Sequence, residues 1–444
     1  MMRLSTCRCR SNRAGVALTV LLAIALGAAV VLLTSCGSSE MKPSERKVMI
    51  IGVDGLEWDI MGPMLEAGRL PNFARVLSEG AWGEVRSLDI LESPVIWTSI
   101  ATGKTPDKHG ITGFAKQLHA GAEPVPMTSN VRRVKALWSI LGERGLSVGV
   151  IGWLATWPAE EVNGYLVSSY FNYGWRPGAD GERSRYTWPE ELAGELAELR
   201  LTADDISDER VRAFLTGDPG DTDAELARLR SLKTAIATDE TVRRSALRLF
   251  EERPTNFFAL YLRGVDGPSH QFWVDAFPES WPEGTEPGTA YLADVVERYY
   301  EYMDEVVGEF IALADDRTTV VLTSDHGHSG PKNRDGVYHW GIAMHDPTGV
   351  IALWGRDIVP GTQLDSPGVL DVTPTLLALL GLPVADDMDG RVLTEAIEPE
   401  FLERHPVTAI LSYEEGVTTD DAEPIESPVD DEVRERLRSL GYIE

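Results

Sequence analysis

The sequence predicts an α/β fold with a mostly parallel central sheet. Continuous apolar runs are typical of strands buried on both faces, amphipathic segments separate the runs, and the runs end on Asp or Gly. The globular part begins at Lys47 with KVMIIGVDG, a strand that stops at Asp54-Gly55, and the following LPNFARVLSEG is typical of a helix. Strands that alternate with helices indicate a parallel α/β sheet.

The same alternation continues along the chain. Further strands are predicted at 146–152, 256–262, 318–324 and 349–355, and helices at about 134–144, 222–252, 289–314 and 369–380. The stretch from about 157 to 250 is rich in Trp, Pro and acidic residues and has few strands, so we expect a helical cap over the site. Ligand sites in such sheets form at the carboxyl ends of the strands.

The domain organisation follows from these patterns. With 444 residues and 43% hydrophobic content, the chain can bury a large core. We assign residues 47–395 to one domain, with the cap as an insertion in it. Residues 396–444 form an acidic tail, in which DDEVRERLRSLGY predicts a short helix because its acids precede its bases.

The N-terminal segment resembles a bacterial lipoprotein signal. Residues 1–35 contain four arginines, no acid, and an apolar run that ends in LLTSCGSS, so Cys36 would carry the lipid and 36–46 would be a tether. A plain transmembrane anchor is the alternative, although the run is near the lower limit of about 18 residues. Both interpretations predict an exported, membrane-anchored protein. Gly37 indicates sorting to the outer membrane, facing the periplasm or the surface, if the host is Gram-negative.

Charge and cysteine content exclude some classes of function. The formal charge of −29 argues against binding of nucleic acid or anionic lipid through a basic surface, and loss of the four N-terminal arginines would change it to −33. Of the three cysteines, Cys7 and Cys9 would leave with the signal and Cys36 would be lipidated. The exported domain therefore has no disulfide available.

Polar side chains lie at the ends of several predicted strands. They are Asp54, Asp266, His270, Asp325, His326 and His345. Each alone would be an ordinary capping, turn or surface residue. At one edge of one sheet, however, three aspartates and three histidines could bind two divalent ions through oxygen and nitrogen. Zinc is the favoured ion, because no thiolate is available, and manganese or iron comes next.

Ser93 precedes Pro94 and a helical run in LESPVIWTSIATGK. One interpretation is that Ser93 is only the N-cap of this helix, with Pro94 in the first helical position. The other is that its hydroxyl lies where a helix N-terminus would bind a phosphoryl group. A metal ion there would lower the pKa of the hydroxyl and make it a nucleophile.

Six motifs together resemble the type I phosphodiesterase/nucleotide pyrophosphatase family of the alkaline phosphatase superfamily. In chain order they are VMIIGVDG, LPNFARVLSEG, SPVIWTSIATGKTPDKHGI, YLRGVDGPSH, LTSDHGH, and LDVTPTLLALLGLP followed by MDGRVL. The resemblance covers nearly all of residues 47–395 and keeps both the Asp-x-x-x-His and the Asp-His spacings. It implies an alkaline-phosphatase-like, three-layer α/β/α fold and hydrolysis of a small phosphate ester with two divalent ions.

The resemblance also assigns the site residues. One metal would be bound by Asp54, Ser93, Asp325 and His326, with Ser93 in the place of the family's Thr or Ser nucleophile and a covalent phosphoseryl-type intermediate. The other metal would be bound by Asp266, His270 and a late histidine. For that residue His345 is favoured over His339, because its distance to the following strand better suits the family pattern. His328 is left over, and we expect it behind the ligands or at the surface.

One departure from the family concerns the substrate. Nucleotide-hydrolysing members usually have Asn soon after HGI, whereas HGITGF has Phe114 there. Asn130 or a backbone amide could substitute. The cap aromatics Trp157, Tyr170, Tyr173 and Trp175 could stack on a base or a sugar, although aromatic residues in a cap more often pack together.

Two other functions stay open at this point. A phosphomonoesterase would share the two-metal core and need donors for a further phosphate oxygen, which Lys104, Lys116 or Lys332 could supply. A non-catalytic surface lipoprotein could keep the fold and bind a ligand, but it would not need all seven site residues. A sulfatase is excluded, because SPVIW does not fit its Cys/Ser-x-Pro-x-Arg motif.

Overall fold

The computed structural model describes residues 45–173, 185–281, 288–330, 344–416 and 422–443. The strands are β1 Lys47–Val53, β2 Ala81–Arg86, β3 Ala115–Lys116, β4 Val125–Pro126, β5 Val148–Ile151, β6 Gly164–Val167, β7 Thr187–Trp188, β8 Phe257–Leu262, β9 Thr318–Thr323, β10 Gly327–His328, β11 His345–Asp346, β12 Thr348–Gly355, β13 Thr362–Gln363, β14 Val384–Ala385 and β15 Ala409–Ile410. The helices are α1 Trp58–Glu66, α2 Pro71–Glu79, α3 Ser93–Thr102, α4 Pro106–His109, α5 Leu137–Glu143, α6 Leu192–Leu196, α7 Asp208–Arg212, α8 Asp223–Glu252, α9 Asp266–Ala276, α10 Val295–Leu313, α11 Val372–Leu379, α12 Pro399–Arg404 and α13 Asp430–Ser439.

Nine strands form the central sheet, in the order β13-β2-β12-β9-β1-β8-β5-β6-β7. β1 lies between β8 and β9 and is parallel to both, and β5 is parallel to β8 and β6. The prediction of a mostly parallel sheet is therefore confirmed. β12 is the main exception, because it runs antiparallel to both β9 and β2.

Both faces of the sheet are buried, which explains the continuous apolar runs. In β1, Met49 and Ile51 contribute to one core, with α1, α2, α8 and α10, while Val48 and Ile50 contribute to the other core, with α3, α5 and α11. Because side chains alternate along a strand, a strand between two helical layers must be apolar at every position. The result is the predicted three-layer α/β/α architecture.

Four strands of the central sheet were not predicted. β2 has alternating burial, and β13 and β7 are only two residues long, so they lack a continuous apolar run. β6 and β7 fall within the segment 157–250 and extend the sheet, while α8 from the same segment packs against β8 and β5. Only part of this segment is thus placed to cover the site.

The C-terminal segment contains α13, where the acid-first sequence predicts a helix. Val433 and Leu437 lie on its buried face and join the larger core. In the part of the chain that the structure describes, no helix has both the length and the apolar character needed to cross a membrane. The predicted signal peptide 1–35, Cys36 and most of the tether 36–46 lie outside the described residues.

Candidate active site

Asp54 and Asp266 meet at the carboxyl ends of two adjacent parallel strands, β1 and β8. Asp54 follows β1 directly, and Asp266 begins α9 after a short loop. Gly55 permits this approach: its φ is +78°, and a side-chain carbon there would lie 2.9 Å from the Cα atom of Asp266. Any other residue at position 55 would be strained and would push the two carboxylates apart.

Asp54, Asp325 and His326 form one buried group of metal-ligating side chains, with ligand atoms within 4.8 Å of one another. His326 Nε2 lies 3.5 Å from Asp54 Oδ1 and 3.4 Å from Asp325 Oδ2. Asp54 Oδ2 accepts hydrogen bonds from the Tyr261 hydroxyl at 2.6 Å and from Trp97 Nε1 at 3.3 Å. These bonds fix the Asp54 carboxylate so that Oδ1 faces the other two side chains.

Asp266, His270 and His345 form the second group, again with ligand atoms within 4.8 Å of one another. The Nε2 atoms of His270 and His345 are 2.8 Å apart, and they lie 3.1 Å and 3.3 Å from Asp266 Oδ1. His270 follows Asp266 by one helical turn in α9, so the Asp-x-x-x-His spacing places both side chains on one helix face.

Ser93 lies beside the first group, and the two groups are neighbours. Ser93 Oγ is 3.4 Å from His326 Nε2. The rings of His326 and His345 stack with their centroids 3.7 Å apart. The structure therefore brings all seven predicted site residues into one buried centre.

The antiparallel strand β12 explains how His345 reaches this centre. Because β12 runs opposite to β9, its beginning lies at the sheet edge where β1, β8 and β9 end. The ribbon of β10 and β11, with His328 opposite His345, precedes β12 there. In a wholly parallel sheet, a residue before a strand would lie at the other edge.

The Nδ1 atoms, which face away from the centre, orient the rings of His326 and His345. His326 Nδ1 is 2.9 Å from the carbonyl oxygen of Gly327, and His345 Nδ1 is 2.7 Å from that of Leu91. A carbonyl can only accept, so each Nδ1 carries the proton and each Nε2 directs a lone pair into the centre. This is the usual arrangement of metal-binding histidines.

Carboxylates without hydrogen-bond partners indicate that the centre is built for cations. Asp54 Oδ1 and both carboxylate oxygens of Asp325 are buried and have no hydrogen-bond partner among the described residues. Burial, together with the nearby Asp325 and Asp266, raises the pKa of Asp54 well above its usual value, and burial raises the pKa of Asp325 to about 7. Unpaired buried carboxylates are costly unless a cation compensates them.

The histidines are suited to the same role. Burial lowers the pKa values of His270, His326 and His345, so the rings are neutral near pH 7 and can act as ligands. Burial opposes ionisation of Asp266, but the adjoining His270 and His345 lower its pKa well below the usual value. The donor set of nitrogen and oxygen atoms fits divalent metal ions.

Ser93 is not the N-cap of its helix, so the interpretation as a simple cap is wrong. α3 begins at Ser93 and its N-cap is Glu92, whose carbonyl oxygen accepts from the amides of Val95 and Ile96. The Glu92 carboxylate instead accepts from the Phe114 amide at 2.7 Å. The Ser93 hydroxyl makes no capping bond and is directed towards His326.

The remaining histidine candidates have different outcomes. His339 lies outside the described residues, as do Trp175 and Lys332. His328 is buried, so of the two expected positions it takes the one behind the ligands and not the one at the surface. Its ring stacks on Trp273 with a centroid separation of 4.6 Å and lies edge-on to His270 at 4.9 Å. Neither ring nitrogen of His328 has a hydrogen-bond partner among the described residues.

A cavity opens above Ser93, and we call it the site cavity. Its volume is about 810 Å³ including the open mouth, and Asp54, Ser93 and Asp266 lie on its floor. The walls are mainly apolar and aromatic, comprising Phe114, Met127, Leu154, Tyr170, Tyr173 and Leu437. Trp157 does not line the cavity but stacks beneath Tyr170 at 5.2 Å. Apolar walls around a few convergent polar groups are typical of ligand sites.

The sequence-based candidates for additional phosphate contacts do not line the site cavity. Lys104 Nζ is buried in ion pairs with Asp387 and Glu414 at 2.8 Å and 2.7 Å. Lys116 is exposed in β3. Asn130 is also exposed and donates to the carbonyl oxygen of Glu423, so it cannot substitute for the family asparagine.

Several site residues were missed by the sequence analysis. Arg263 lies three positions before Asp266, within a motif already recognised, so a search for cations near the ligands would have found it. Arg436 and Tyr442 come from the C-terminal segment, for which no local signal exists. The Tyr442 hydroxyl donates to Asp266 Oδ2, and its ring stacks on Phe114 at 4.3 Å. The C-terminal segment is therefore part of the site.

Comparisons with known proteins identify a family and several distant relatives. The sequence model of a family described as type I phosphodiesterase/nucleotide pyrophosphatase matches residues 48–373. A 2,3-bisphosphoglycerate-independent phosphoglycerate mutase of Synechococcus sp. (strain JA-2-3B'a(2-13)) is 34% identical over 116 residues. That alignment covers 24% of this chain and 22% of the mutase, so the chain spans about a fifth of this relative.

The solved structures to which the chain is similar have lower sequence identity than the mutase. Human ectonucleotide pyrophosphatase/phosphodiesterase 5 is 12% identical, with coverage of 78% of this chain and 97% of the human chain and a TM-score of 0.46. A phosphonate monoester hydrolase from Silicibacter pomeroyi is 16% identical, with coverage of 78% and 76% and a TM-score of 0.43. Similarity at this level does not identify a substrate.

Proposed function

Because the chain belongs to the type I phosphodiesterase/nucleotide pyrophosphatase family of phosphoester hydrolases, we propose that it is a two-metal-dependent hydrolase of phosphate diesters or pyrophosphates, with Ser93 as the nucleophile. The observation that carries this proposal is the convergence of two buried metal-ligating groups beside the Ser93 hydroxyl. The cavity above that hydroxyl leaves room for a small organic phosphate ester.

Divalent ions fit the side chains of the centre. Asp54, Ser93, Asp325 and His326 would hold one ion, and Asp266, His270 and His345 would hold the other. Zinc is our choice because the donors are nitrogen and oxygen atoms. When bound, such ions polarise the phosphoryl oxygens and lower the pKa of the serine hydroxyl.

The protein's own residues supply the nucleophile and its orientation. The Ser93 hydroxyl loses its proton and its oxygen bonds to phosphorus, while the bond from phosphorus to the leaving oxygen breaks on the opposite side and the leaving oxygen takes up a proton. Water then breaks the bond between phosphorus and the seryl oxygen, which restores the hydroxyl. The positive end of the α3 dipole faces the phosphoryl group and stabilises its negative charge. Tyr261 and Trp97 hold Asp54 in position, and the apolar cavity walls limit the access of water.

Substitution of the nucleophile tests this proposal. We expect Ser93→Ala to bind close to two metals per chain but to lose turnover of bis(p-nitrophenyl) phosphate by roughly three orders of magnitude or more. Ser99→Ala is the matched control, because Ser99 lies in the same helix but its hydroxyl contacts His109. Substantial turnover by Ser93→Ala would refute the nucleophile assignment.

A phosphomonoesterase is the second candidate. The observation that favours it is the presence of Arg263 and Arg436 in the site cavity, since a monoester carries an additional charged oxygen. Comparison of p-nitrophenyl phosphate with bis(p-nitrophenyl) phosphate on the zinc-loaded protein separates the two activities. A non-catalytic binding protein would instead be indicated by fewer than two metals per chain and no turnover of either ester.

We also propose that the protein is exported and anchored by lipid on Cys36. Support comes from the sequence alone, through the basic start, the apolar run and LLTSCGSS. Labelled palmitate should enter the wild-type chain and not Cys36→Ser, while Cys7→Ser should keep the label. Labelling of Cys36→Ser would refute the anchor.

A further inference from the structure

Two arginines lie in the site cavity and form no ion pair with any acidic residue that the structure describes. Arg263 follows β8, and its amide donates to Asp239 Oδ1 at 2.8 Å, which fixes its backbone. Its guanidinium lies over the ring of Tyr173, 5.0 Å from the centroid. Among the described residues, this guanidinium makes no hydrogen bond or ion pair.

Arg436 enters the same cavity from α13. The buried side chains of Val433 and Leu437 anchor this face of the helix. Arg436 Nη2 lies against Gly267 in the first turn of α9. A Cβ atom added to Gly267 would be 3.3 Å from this nitrogen. Nearby arginines of α13 do form ion pairs, Arg434 with Asp431 and Arg438 with Glu123. Within the described ranges, the Arg436 guanidinium has no such pair.

The two guanidinium groups are close enough to affect each other. Burial, and next to it the charge of Arg436, lowers the pKa of Arg263 to about 10, and burial lowers that of Arg436. Asp54, Asp239 and Asp266 line the same cavity and oppose this lowering of the pKa values, but none of these three carboxylates bonds to either guanidinium. An anion that bonds to both guanidinium groups would therefore stabilise the pair. The chain contains 70 acidic and 41 basic residues, so a shortage of carboxylates does not explain the missing partners.

We propose that Arg263 and Arg436 bind a second anionic group of the substrate, beside the phosphoryl group at Ser93. This inference rests on the proposed function and defines its substrate class. Arginine binds carboxylate and phosphate oxygens through paired, charge-assisted hydrogen bonds. The aromatic walls of the site cavity, among them Tyr170 and Tyr173, suit an organic connector between the two anions. The substrate is thus a phosphoric ester that carries a carboxylate or a second phosphate.

Two matched probes test the second anion by binding alone. 3-Phosphonopropionate carries a carboxylate on a short arm, and propylphosphonate has the same length without it. We expect the full-length, zinc-loaded protein to bind 3-phosphonopropionate about tenfold or more tightly by calorimetry. Arg436→Gln and Arg263→Gln should each lose most of this preference, and Arg436→Lys should keep part of it.

The control is Arg438→Gln, which removes the same charge from the same helix outside the site cavity and should keep the preference. Melting temperatures and metal content verify that each variant is folded and loaded. Three results would overturn the inference: no preference in the wild-type protein, no binding of either probe, or a preference that survives both glutamine variants. Equal weakening of both probes would also overturn it, because the arginines would then bind the phosphoryl group itself.

Failure of the proposed function gives a different result. A wild-type protein that hydrolyses no phosphate ester but prefers 3-phosphonopropionate through Arg263 and Arg436 would contradict the hydrolase and support the second anion site. A protein that hydrolyses bis(p-nitrophenyl) phosphate and binds both probes equally would support the hydrolase and refute the second anion site.

Discussion

Asp239→Asn should stabilise the protein, and the gain should increase with pH. Asp239 lies in α8 and lines the site cavity, where it accepts from the Tyr299 hydroxyl at 2.8 Å and from the Arg263 amide. Burial raises its pKa from 3.8 to about 7. Between these values the folded chain keeps a proton that the unfolded chain releases, so the free energy of unfolding falls as pH rises and levels off above pH 7.

The magnitude follows from this shift. Ionisation of Asp239 costs the folded state about 2 kcal/mol at pH 5 and about 4 kcal/mol at pH 8. Asparagine carries no charge and removes this cost. Its amide oxygen can still accept from the Arg263 amide, and its amide nitrogen can donate to Tyr299, so both contacts are retained.

Urea denaturation at pH 5 and pH 8, monitored by tryptophan fluorescence, measures the free energy of unfolding of each variant at equal metal content. The difference between Asp239→Asn and wild type should be larger at pH 8 by about 2 kcal/mol. Asp205→Asn is the control, because Asp205 is exposed and Thr202 lowers its pKa, so it should show no gain at pH 8. A gain for Asp239→Asn that is equal at both pH values would refute the reasoning.

Three further predictions concern the centre and its surroundings. Gly55→Ala should weaken metal binding about tenfold or more, because the new side-chain carbon would displace Asp266. Competition with a chelator measures this loss. The control is Gly68→Ala, because a side-chain carbon on Gly68 would meet no other atom. Lys104→Met should lower the free energy of unfolding by about 1–3 kcal/mol, because Lys104 forms buried ion pairs with Asp387 and Glu414. These pairs lie outside the site cavity, so kcat/KM should stay nearly unchanged, and a large loss of kcat/KM would contradict a purely stabilising role. Chelation should lower the melting temperature more at pH 8 than at pH 6, because Asp325, whose pKa burial raises to about 7, is ionised without a counter-charge at pH 8. An equal decrease at both pH values would contradict this prediction.

The sheet and the ligand set could be predicted because their signals are local. Helices cover both faces of strands such as β1 and β9, so the centre of each strand is a continuous apolar run that can be read from the sequence. Asp54 and Asp325 follow these strands directly, and Asp266 and His270 are one helical turn apart. Each of these relations is fixed by neighbours in the sequence.

The position of His345 needed more than local pattern. Its place before β12 would put it at the wrong edge of a parallel sheet, and only the antiparallel pairing of β12 with β9 brings it to the centre. The short strands β7 and β13 were missed for a similar reason, because pairing with a neighbour defines them and their own composition does not.

The sequence by itself determined the fold class and the candidate metal-ligating residues, since strand burial and strand-end chemistry repeat along the chain. Only the tertiary structure decided how the site cavity is closed and charged. Arg436 and Tyr442 lie 91 and 97 positions after His345, the last of the seven predicted site residues, and their contacts with Gly267 and Asp266 depend on where α13 packs. The same packing excludes Lys104, whose charge is already paired. Packing between residues that are far apart in the sequence, which no local pattern encodes, therefore places Arg436 in the site cavity. In our proposal this arginine helps to select the substrate.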